Sequence, residues 1–558
     1  SLLLLHSGST SNGIHAQIPS LGETTEVSIV NVDVVVTDAA GKHVRGLTAN
    51  DFEIFEDGKP QPVSHFAEYR SEEPRNTGFL SPEAAATLNE KPAETAASQP
   101  SQRRTLVIFI EIFKLPGFRV EPFIASIKNL VRNTIRSGDT VSLVTFDQSA
   151  TLRVASTSDV AAVERELDEV GRECVGPVRD RIGPVSKQAN QERAFNEEVT
   201  ARAAALGIAT LTVPTSDEVA VYAARIHAIE ARVDMNRRVA TINTLLSGMA
   251  GIEGRKVLLL ASNRLGEYIG AEYYYGAGLT ESIIPPVERS EIDNRAAVRS
   301  IIANANASDV TIYPVYPTGL DYTPADPTVP DVSRAVLMNE MTMLNEIAEK
   351  TGGITSYGTS NTAGLMPQLA QDMSSYYSLA YRASARRDDS SRKISVRMKD
   401  RNLTARARTE FVEKSDDTQM RDRVLAALHD ASSDATFQLQ ADLGPRRRVG
   451  RKTETAPLKV RIPINALTLL PQGGKHSGAF TVYAITGGML GEVSEVTRRT
   501  QTFDIPARDL ERALAGHFTY DLDVIVNDRT QEIAIGVIDE VSKEYGLITV
   551  PFEKVAVR

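Results

Sequence analysis

The sequence predicts a chain of mixed class, α/β plus all-β, centred on a doubly wound, Rossmann-like α/β domain. Three observations predict it. Residues 104–111, 139–146 and 255–261 are short, largely apolar runs, the pattern of strands buried on both faces of a parallel sheet. A long stretch rich in Ala, Glu and Arg, about 158–250, follows the second run and reads as inserted helix. Outside this region apolar and polar residues alternate, as in strands with one face in water.

Taken in order, residues 1–25 open with four leucines, Leu2 to Leu5, and a polar stretch reaching Ala16. The run is far below the roughly 20 residues of a membrane helix. It reads as the remnant of a secretion signal with a small-residue cleavage site at Ala16, or as a disordered tail. Residues 26–70 form an N-terminal β unit. Val27 to Thr37 is β-branched, Asp38 to Lys42 is a turn, and Phe52 to Pro60 alternates around an Asp57-Gly58 hairpin signal. Residues 71–103 have almost no large apolar side chains and are expected to be a flexible linker.

Residues 104–385 carry the α/β pattern with its insertion. After the 255–261 strand come a strand at 310–315 and a Pro-rich loop at 317–332. A helix at 333–350 follows, with Val336, Leu337, Met341, Leu344 and Ile347 at helical spacing, closed by Gly352-Gly353. A last helix at 362–376 leads into a strand at 377–381. Residues 386–415 alternate as short β segments and are candidates to pair with 26–70. From 416 to 558 a short helix at 419–430 precedes polar-turn-separated strands, which predict a C-terminal β-sandwich.

The 558-residue length suits several domains, and 42% hydrophobic with 24% charged residues is ordinary globular composition. A formal net charge of -10 gives no global basic field for nucleic acid. The single cysteine, Cys174, has no internal disulfide partner, and nothing marks a histidine beside it that would activate the thiol. The eight histidines are scattered and give no zinc-ligand spacing. There is no Gly-x-Ser-x-Gly elbow, phosphate loop or His-Glu-x-x-His.

Three stretches taken together resemble the bacterial von Willebrand factor A-related proteins known from acidobacteria. They are Val34 to Gln61, the strand set 104–111, 139–146 and 255–263, and Leu344 to Gly353 followed by Ser374 to Tyr381. The resemblance spans roughly 26–412. It implies an exported binding protein and names no reaction. A von Willebrand A domain holds a divalent cation through Asp-x-Ser-x-Ser at the end of its first strand. The matching positions here are Glu111, Phe113 and Leu115. Phe and Leu offer no oxygen to a hard cation. The later Thr-Asp-Gly-like turn is Ala261 to Gly266, where Arg264 places positive charge. Glu111 is therefore expected to pair with Arg264 or Lys114, with a weak metal site or a catalytic use as the alternatives. No metal and no cofactor is predicted.

Open α/β sheets bind ligands at the carboxyl ends of their strands. Loops expected there carry Glu111, Phe113, Lys114, Phe118, Arg264, Tyr268, Tyr273, Tyr274, Tyr275 and Tyr322, a set of aromatics beside cations that suits a protein contact. The alternative is that Tyr273 to Tyr275 pack on the domain's own insertion. Arg446, Arg447 and Arg448, with Arg451 and Lys452, form a basic cluster that reads as a solvated turn or as a contact for an acidic partner or lipid headgroups. Asp139 reads as a turn residue and Asp147 as a polar strand end. The function expected is a non-enzymatic, secreted or periplasmic binding protein of the cell envelope whose partner is another protein and not a nucleic acid. The alternatives are a structural subunit of an envelope assembly and a hydrolase with its site near Glu111 and Asp147.

Overall fold

The computed structural model describes residues 27–70, 103–115, 117–177, 183–206, 215–262, 265–279, 284–317, 332–355, 364–384, 388–428, 435–449, 454–487, 494, 496–526, 530 and 532–552. The expected signal remnant and nearly all of the linker lie outside these residues.

Five strands make the central sheet, in the spatial order Ser149–Thr157, Thr140–Asp147, Arg104–Glu111, Arg255–Ala261, Val310–Val315. Arg104–Glu111 pairs in parallel with both neighbours, and Val310–Val315 in parallel with Arg255–Ala261. Every residue of the two central strands is buried, which explains their unbroken apolar runs. Alternate side chains face opposite layers. Leu106, Ile108 and Ile110 pack with Ile127, Leu130, Val163 and Leu167 of the helices Gly117–Thr134 and Val160–Cys174. Val107, Phe109, Leu258 and Leu260 pack with Met235, Ile242 and Leu246 of the long helix Ser216–Ala250, and with Ile301 and Ile347.

Two expectations are corrected. The sheet is not wholly parallel: Ser149–Thr157, a stretch to which the sequence assigned no strand, turns back as an antiparallel edge strand on Thr140–Asp147. Gln148 makes the tight reversal at φ 63°. The strand Ser375–Ser384, read as the end of the α/β domain, joins instead a β unit, antiparallel to Val27–Thr37 on one side and Val63–Arg70 on the other.

That β unit is two four-stranded sheets face to face. One runs Thr404–Arg406, Val27–Thr37, Ser375–Ser384, Val63–Arg70; the other runs Glu410–Val412, Ser391–Met398, Phe52–Glu56, Lys59–Gln61. Val32, Val34, Phe52, Ile54, Leu379, Tyr381 and Phe411 fill the space between them. The α/β unit is thus inserted between two strands that touch, Val63–Arg70 and Ser375–Ser384.

The two units meet at the amino ends of the parallel strands. Arg104, buried, donates from Nε to Asp139 Oδ1 at 3.0 Å and from Nη1 to the Met373 carbonyl at 2.9 Å. Arg255 lies over the Tyr376 ring, 4.0 Å from its centroid, and 3.7 Å from Asp33 of the β unit. Asp372 accepts from the Tyr313 hydroxyl at 2.8 Å and from Arg406 at 2.9 Å, with His43 Nε2 at 2.9 Å. This polar seam covers the amino edge of the sheet and leaves its carboxyl edge to loops.

Past the β unit, the helix Asp416–Ala427 packs on the long helix and on Glu532–Asp539 and Lys475–Gly487 of a C-terminal sandwich. One sheet of that sandwich runs Phe437–Gln438, Tyr545–Pro551, Glu532–Asp539, Lys475–Gly487, Leu470–Gln472, with Thr497–Pro506 also on Lys475–Gly487. The other joins Gln440–Leu443, Arg447–Arg448 and His517–Val526 to Glu454–Pro463. Leu458, Val460, Phe480, Val482, Ile533 and Ile535 lie in the core between them.

Candidate functional site

In chain order the sheet strands read third, second, first, fourth, fifth across space, so the direction of winding reverses between Arg104–Glu111 and Arg255–Ala261. The crevice outside the carboxyl ends of such a pair is where open α/β sheets hold ligands, because the two following loops leave in opposite directions. Glu111 ends the first of these strands and Ser262 follows the second.

The crevice is closed by side chains of this chain. Glu111 is 3% exposed and Arg238, from the long helix, 2%. Arg238 Nη2 donates to Glu111 Oε1 at 2.8 Å, and Ser262 Oγ donates to Glu111 Oε2 at 2.8 Å. The guanidinium also lies over the Phe146 ring, 5.5 Å from its centroid, and its Nη1 is 3.6 Å from Met235 Sδ. A buried carboxylate needs a paired charge and hydrogen bonds on both oxygens. Arg238 and Ser262 supply both.

The partner expected for Glu111 was Arg264 or Lys114. Arg264 lies outside the described residues. Lys114 turns away and donates to the Glu173 carbonyl. Phe113 and Leu115 are 5% and 3% exposed and pack into the sheet-helix core, Phe113 edge-on to Phe123 with centroids 5.7 Å apart. Neither Phe113 nor Glu111 presents a surface to a partner, which corrects their place among the contact residues. Phe118 is 73% exposed. Among the described residues no group of three or more His, Cys, Asp or Glu side chains is placed to hold a metal ion.

The tyrosines divide. Tyr274 is buried and its hydroxyl donates to Glu288 Oε2 at 2.8 Å; burial, with that carboxylate beside it, pushes its phenol well up. It is a core residue, not a contact residue. Tyr268, Tyr273 and Tyr275 are half-buried, and Tyr322 lies outside the described residues. Tyr273 stands beside His227 of the long helix, ring centroids 5.3 Å apart. Asn339 clamps the backbone of Tyr268, accepting its N–H at 2.7 Å and donating to its carbonyl at 2.9 Å. These residues border a cavity of about 210 Å³ between the long helix, the loop at 266–273 and the helix Val332–Thr351, with Arg238 in its wall.

Other sequence candidates lie apart. Asp139 is buried and bound to Arg104, and Asp147 is exposed. Cys174 is buried, and burial pushes its thiol up, which does not suit a reactive thiolate. In the C-terminal sandwich Arg446 is tied to Glu454 at 3.1 Å and lies over Phe552, so it leaves the basic cluster; Arg447 and Arg448 are exposed. Arg451 and Lys452 lie outside the described residues.

The sequence reading missed Arg238, Ser262 as a hydrogen-bond donor, and the His227 and Asn339 contacts. One signal was present. Arg238 falls in register with Met235, Val239 and Ile242 on the apolar face of its helix, where a charge needs a buried partner.

No family model matches the sequence, and no curated protein matches it. Among solved structures, an aerotolerance-related membrane protein from Bacteroides fragilis is 12% identical, with 49% of this chain and 98% of that one covered and a TM-score of 0.23. The vWF domain of the type V pili tip protein Mfa5 from Porphyromonas gingivalis is 14% identical over 48% and 94% of the two chains, TM-score 0.23. BatB from Bacteroides thetaiotaomicron is 12% identical over 49% and 98%, TM-score 0.22. At such scores these likenesses carry no weight for fold or function, which rest on the residues and geometry described above.

Proposed function

We propose that this chain is an exported, non-enzymatic binding protein whose α/β unit engages another protein at the carboxyl edge of its sheet. The observation that carries the reading is the Glu111–Arg238–Ser262 group. At the switch point, where a von Willebrand A-type domain would hold its cation, a guanidinium sits 2.8 Å from the lone carboxylate. A divalent ion entering there would meet a fixed positive charge and would have to displace a buried ion pair. The site is therefore read as metal-free. The β unit shields the amino edge of the sheet, which supports recognition at the opposite edge. The leucine run before Ala16 supports export, and no helix among the described residues is long and apolar enough to cross a membrane.

The test is isolation of the native protein with whatever remains bound, in chelator and in magnesium, followed by mass spectrometry. A defined partner retained equally in both buffers is the expected result. A partner lost in chelator would overturn the metal-free reading. Absence of any partner in either buffer would overturn the binding reading itself.

A further inference from the structure

We propose that the strand Thr497–Pro506, at the edge of the C-terminal sandwich, pairs antiparallel with the same strand of a second copy of this chain, about a two-fold axis at Gln501. The inference goes beyond the binding role proposed above and stands independently of it.

Thr497–Pro506 is ten residues long and pairs with Lys475–Gly487 from end to end without a bulge. Among the described residues no strand pairs on its other side. The direction of its backbone groups follows from the strand it leans on. The Ala479 carbonyl accepts from the Glu540 N–H at 3.0 Å, so Ala479 turns its backbone groups away from Thr502, the residue opposite it. In an antiparallel ladder both groups of a residue point to one side, and successive residues alternate. Arg498, Thr500, Thr502 and Asp504 therefore aim N–H and C=O at the open side. Two of these carbonyls are met by side chains of the strand itself. Gln501 Nε2 donates to the Thr502 carbonyl at 2.6 Å, and Arg499 Nη1 to the Arg498 carbonyl at 3.3 Å. Edge strands are ordinarily blunted by a bulge or an interior proline. Here the ladder is unbroken and proline stands only at its last position.

The strand is complementary to itself. Opposite residues of an antiparallel pair must both aim at the join, which limits a copy to registers that place outward-pointing residues together. Pairing about Gln501 sets Arg498 opposite the second copy's Asp504 and Thr500 opposite its Thr502, and the two-fold axis repeats both pairs. Opposite charges and facing threonines are favourable cross-strand neighbours. The next allowed registers bring Arg498 opposite Thr502, or opposite Pro506, which has no N–H to give. Arg498 and Asp504 are half-exposed, and each has a partner in its own chain. Arg498 Nε is 2.6 Å from Asp417, and Lys475 Nζ is 2.5 Å from Asp504. Across the join the row reads Asp417, Arg498, then the second copy's Asp504 and Lys475. Signs alternate along it, so each charge keeps its own partner and gains an opposite one. Exposed pairs of this kind fix register more than affinity, and the backbone hydrogen bonds supply the attraction.

The facing sheet of the sandwich lacks this complementarity. Its strand His517–Val526 pairs with Glu454–Pro463, and a copy-to-copy pair about Leu522 would set Asp521 against Asp523. Thr486 Oγ also donates to the Ile525 carbonyl of that strand at 2.8 Å. Joined at Thr497–Pro506, two copies make an isologous contact, the commonest kind in homo-oligomers. Such a particle carries two α/β units, and a partner with repeated sites would be held by both.

The experiment uses the full chain. Sedimentation across about 1–100 μM is expected to show a monomer–dimer equilibrium. Thr502→Pro removes a backbone donor that faces the join and not Lys475–Gly487. The fold is expected to stand, as thermal unfolding checks, while association weakens at least about tenfold. Gln501 lies on the axis in a non-hydrogen-bonded pair, where Cα atoms stand about 4.5 Å apart, within disulfide reach. Gln501→Cys is therefore expected to give a covalent dimer under mild oxidation. Arg499→Cys, on the same face, would stand about 13 Å along the strand from its counterpart and is expected to give none. The native Cys174 is buried. The two cysteine variants keep the proposal testable should the proline disturb the strand. A parent monomeric throughout, a dimer untouched by Thr502→Pro, or equal cross-linking of the two cysteine variants would overturn the proposal. Cross-linking of Gln501→Cys to another protein and not to itself would assign the edge to that partner and overturn self-pairing.

Discussion

At the scale of single residues, the Glu111–Arg238 pair decides how the switch point is read. Both groups are almost fully buried, so the pair is held together by the penalty of leaving either charge alone. Arg238→Met should take the paired charge away from the buried Glu111 carboxylate and destabilise the α/β unit by about 3–5 kcal/mol. Glu111→Gln keeps a polar group against Ser262, but it removes the Glu111 charge from beside the guanidinium and should cost in the same direction. The double change Glu111→Leu, Arg238→Met removes both charges and should recover much of the loss, because the neighbours Met235, Phe146 and Leu260 are apolar. Hydrogen exchange at the amides of Arg104–Glu111 would report local opening without assuming that the whole chain unfolds in one step. An Arg238→Met protein with unchanged protection would mean that the pair contributes nothing to holding the crevice shut. Glu111 was readable from sequence as a candidate because it ends a buried strand. Its partner was not, because Arg238 stands 127 positions away and only the fold brings the two together.

At the scale of elements, the long helix serves the sheet with one face and faces solvent with the other. Met235, Val239, Ile242 and Leu246 pack under the sheet, while Tyr222, Ile226, Ile229 and Val233 remain outside. The effect of a substitution on stability should therefore depend on which face it meets. Ile229→Ser, on the outer stripe, should change stability by no more than about 0.5 kcal/mol. Gly270→Ala should destabilise by about 1–3 kcal/mol, because φ is +83° there and the added Cβ meets Ala228 at 2.7 Å. Urea unfolding of the two variants beside the parent tests both, and a Gly270→Ala protein as stable as the parent would show that the loop is free to move off the helix. The strands at 104–111, 255–261 and 310–315 were legible because burial on both faces leaves a continuous apolar run. Ser149–Thr157 was not, since an edge strand is only partly buried and its burial alternates weakly. The tyrosine run at 273–275 was legible as a cluster, but not which ring would face inward; a six-residue helix, Ala271–Gly276, turns Tyr274 toward Glu288.

At the scale of the whole molecule, the chain is tied together at the amino edge of the sheet, and here sequence reading reached its limit. The Ser375–Ser384 strand follows a helix, as the next strand of an α/β unit would, so local pattern sent it to the wrong sheet. Its true partners begin at Val27 and Val63, more than 300 positions earlier, and no local signal carries that pairing. The polar seam beside it makes a further prediction, on pH. Burial pushes the Asp372 carboxyl up, but hydrogen bonds from His43, Arg406 and Tyr313 outweigh it and hold the group below its ordinary range. Asp309 behaves alike, burial being outweighed by Arg408, Lys256 and Arg255. A carboxyl lowered in the folded state stabilises fully above its unfolded pKa, about 3.9, and that stability is lost as pH falls through the folded value. Asp33 opposes the trend, since burial leaves its carboxyl raised despite Arg255, and its protonation on acidification relieves a buried charge. With two lowered groups against one raised, the seam should weaken as pH drops below about 4. Asp372→Asn cannot pair with Arg406 or His43 as an anion. It should be less stable than the parent at neutral pH, and its stability should fall less steeply below pH of about 4. Thermal unfolding across pH 2 to 7, roughly the window those carboxyls span, compares the two slopes. Parallel acid slopes in parent and variant would place the acid-sensitive groups elsewhere, and the seam would then hold the units together by its packing, with Tyr376 against Arg255 and Tyr313 against the sheet, more than by the charge on Asp372.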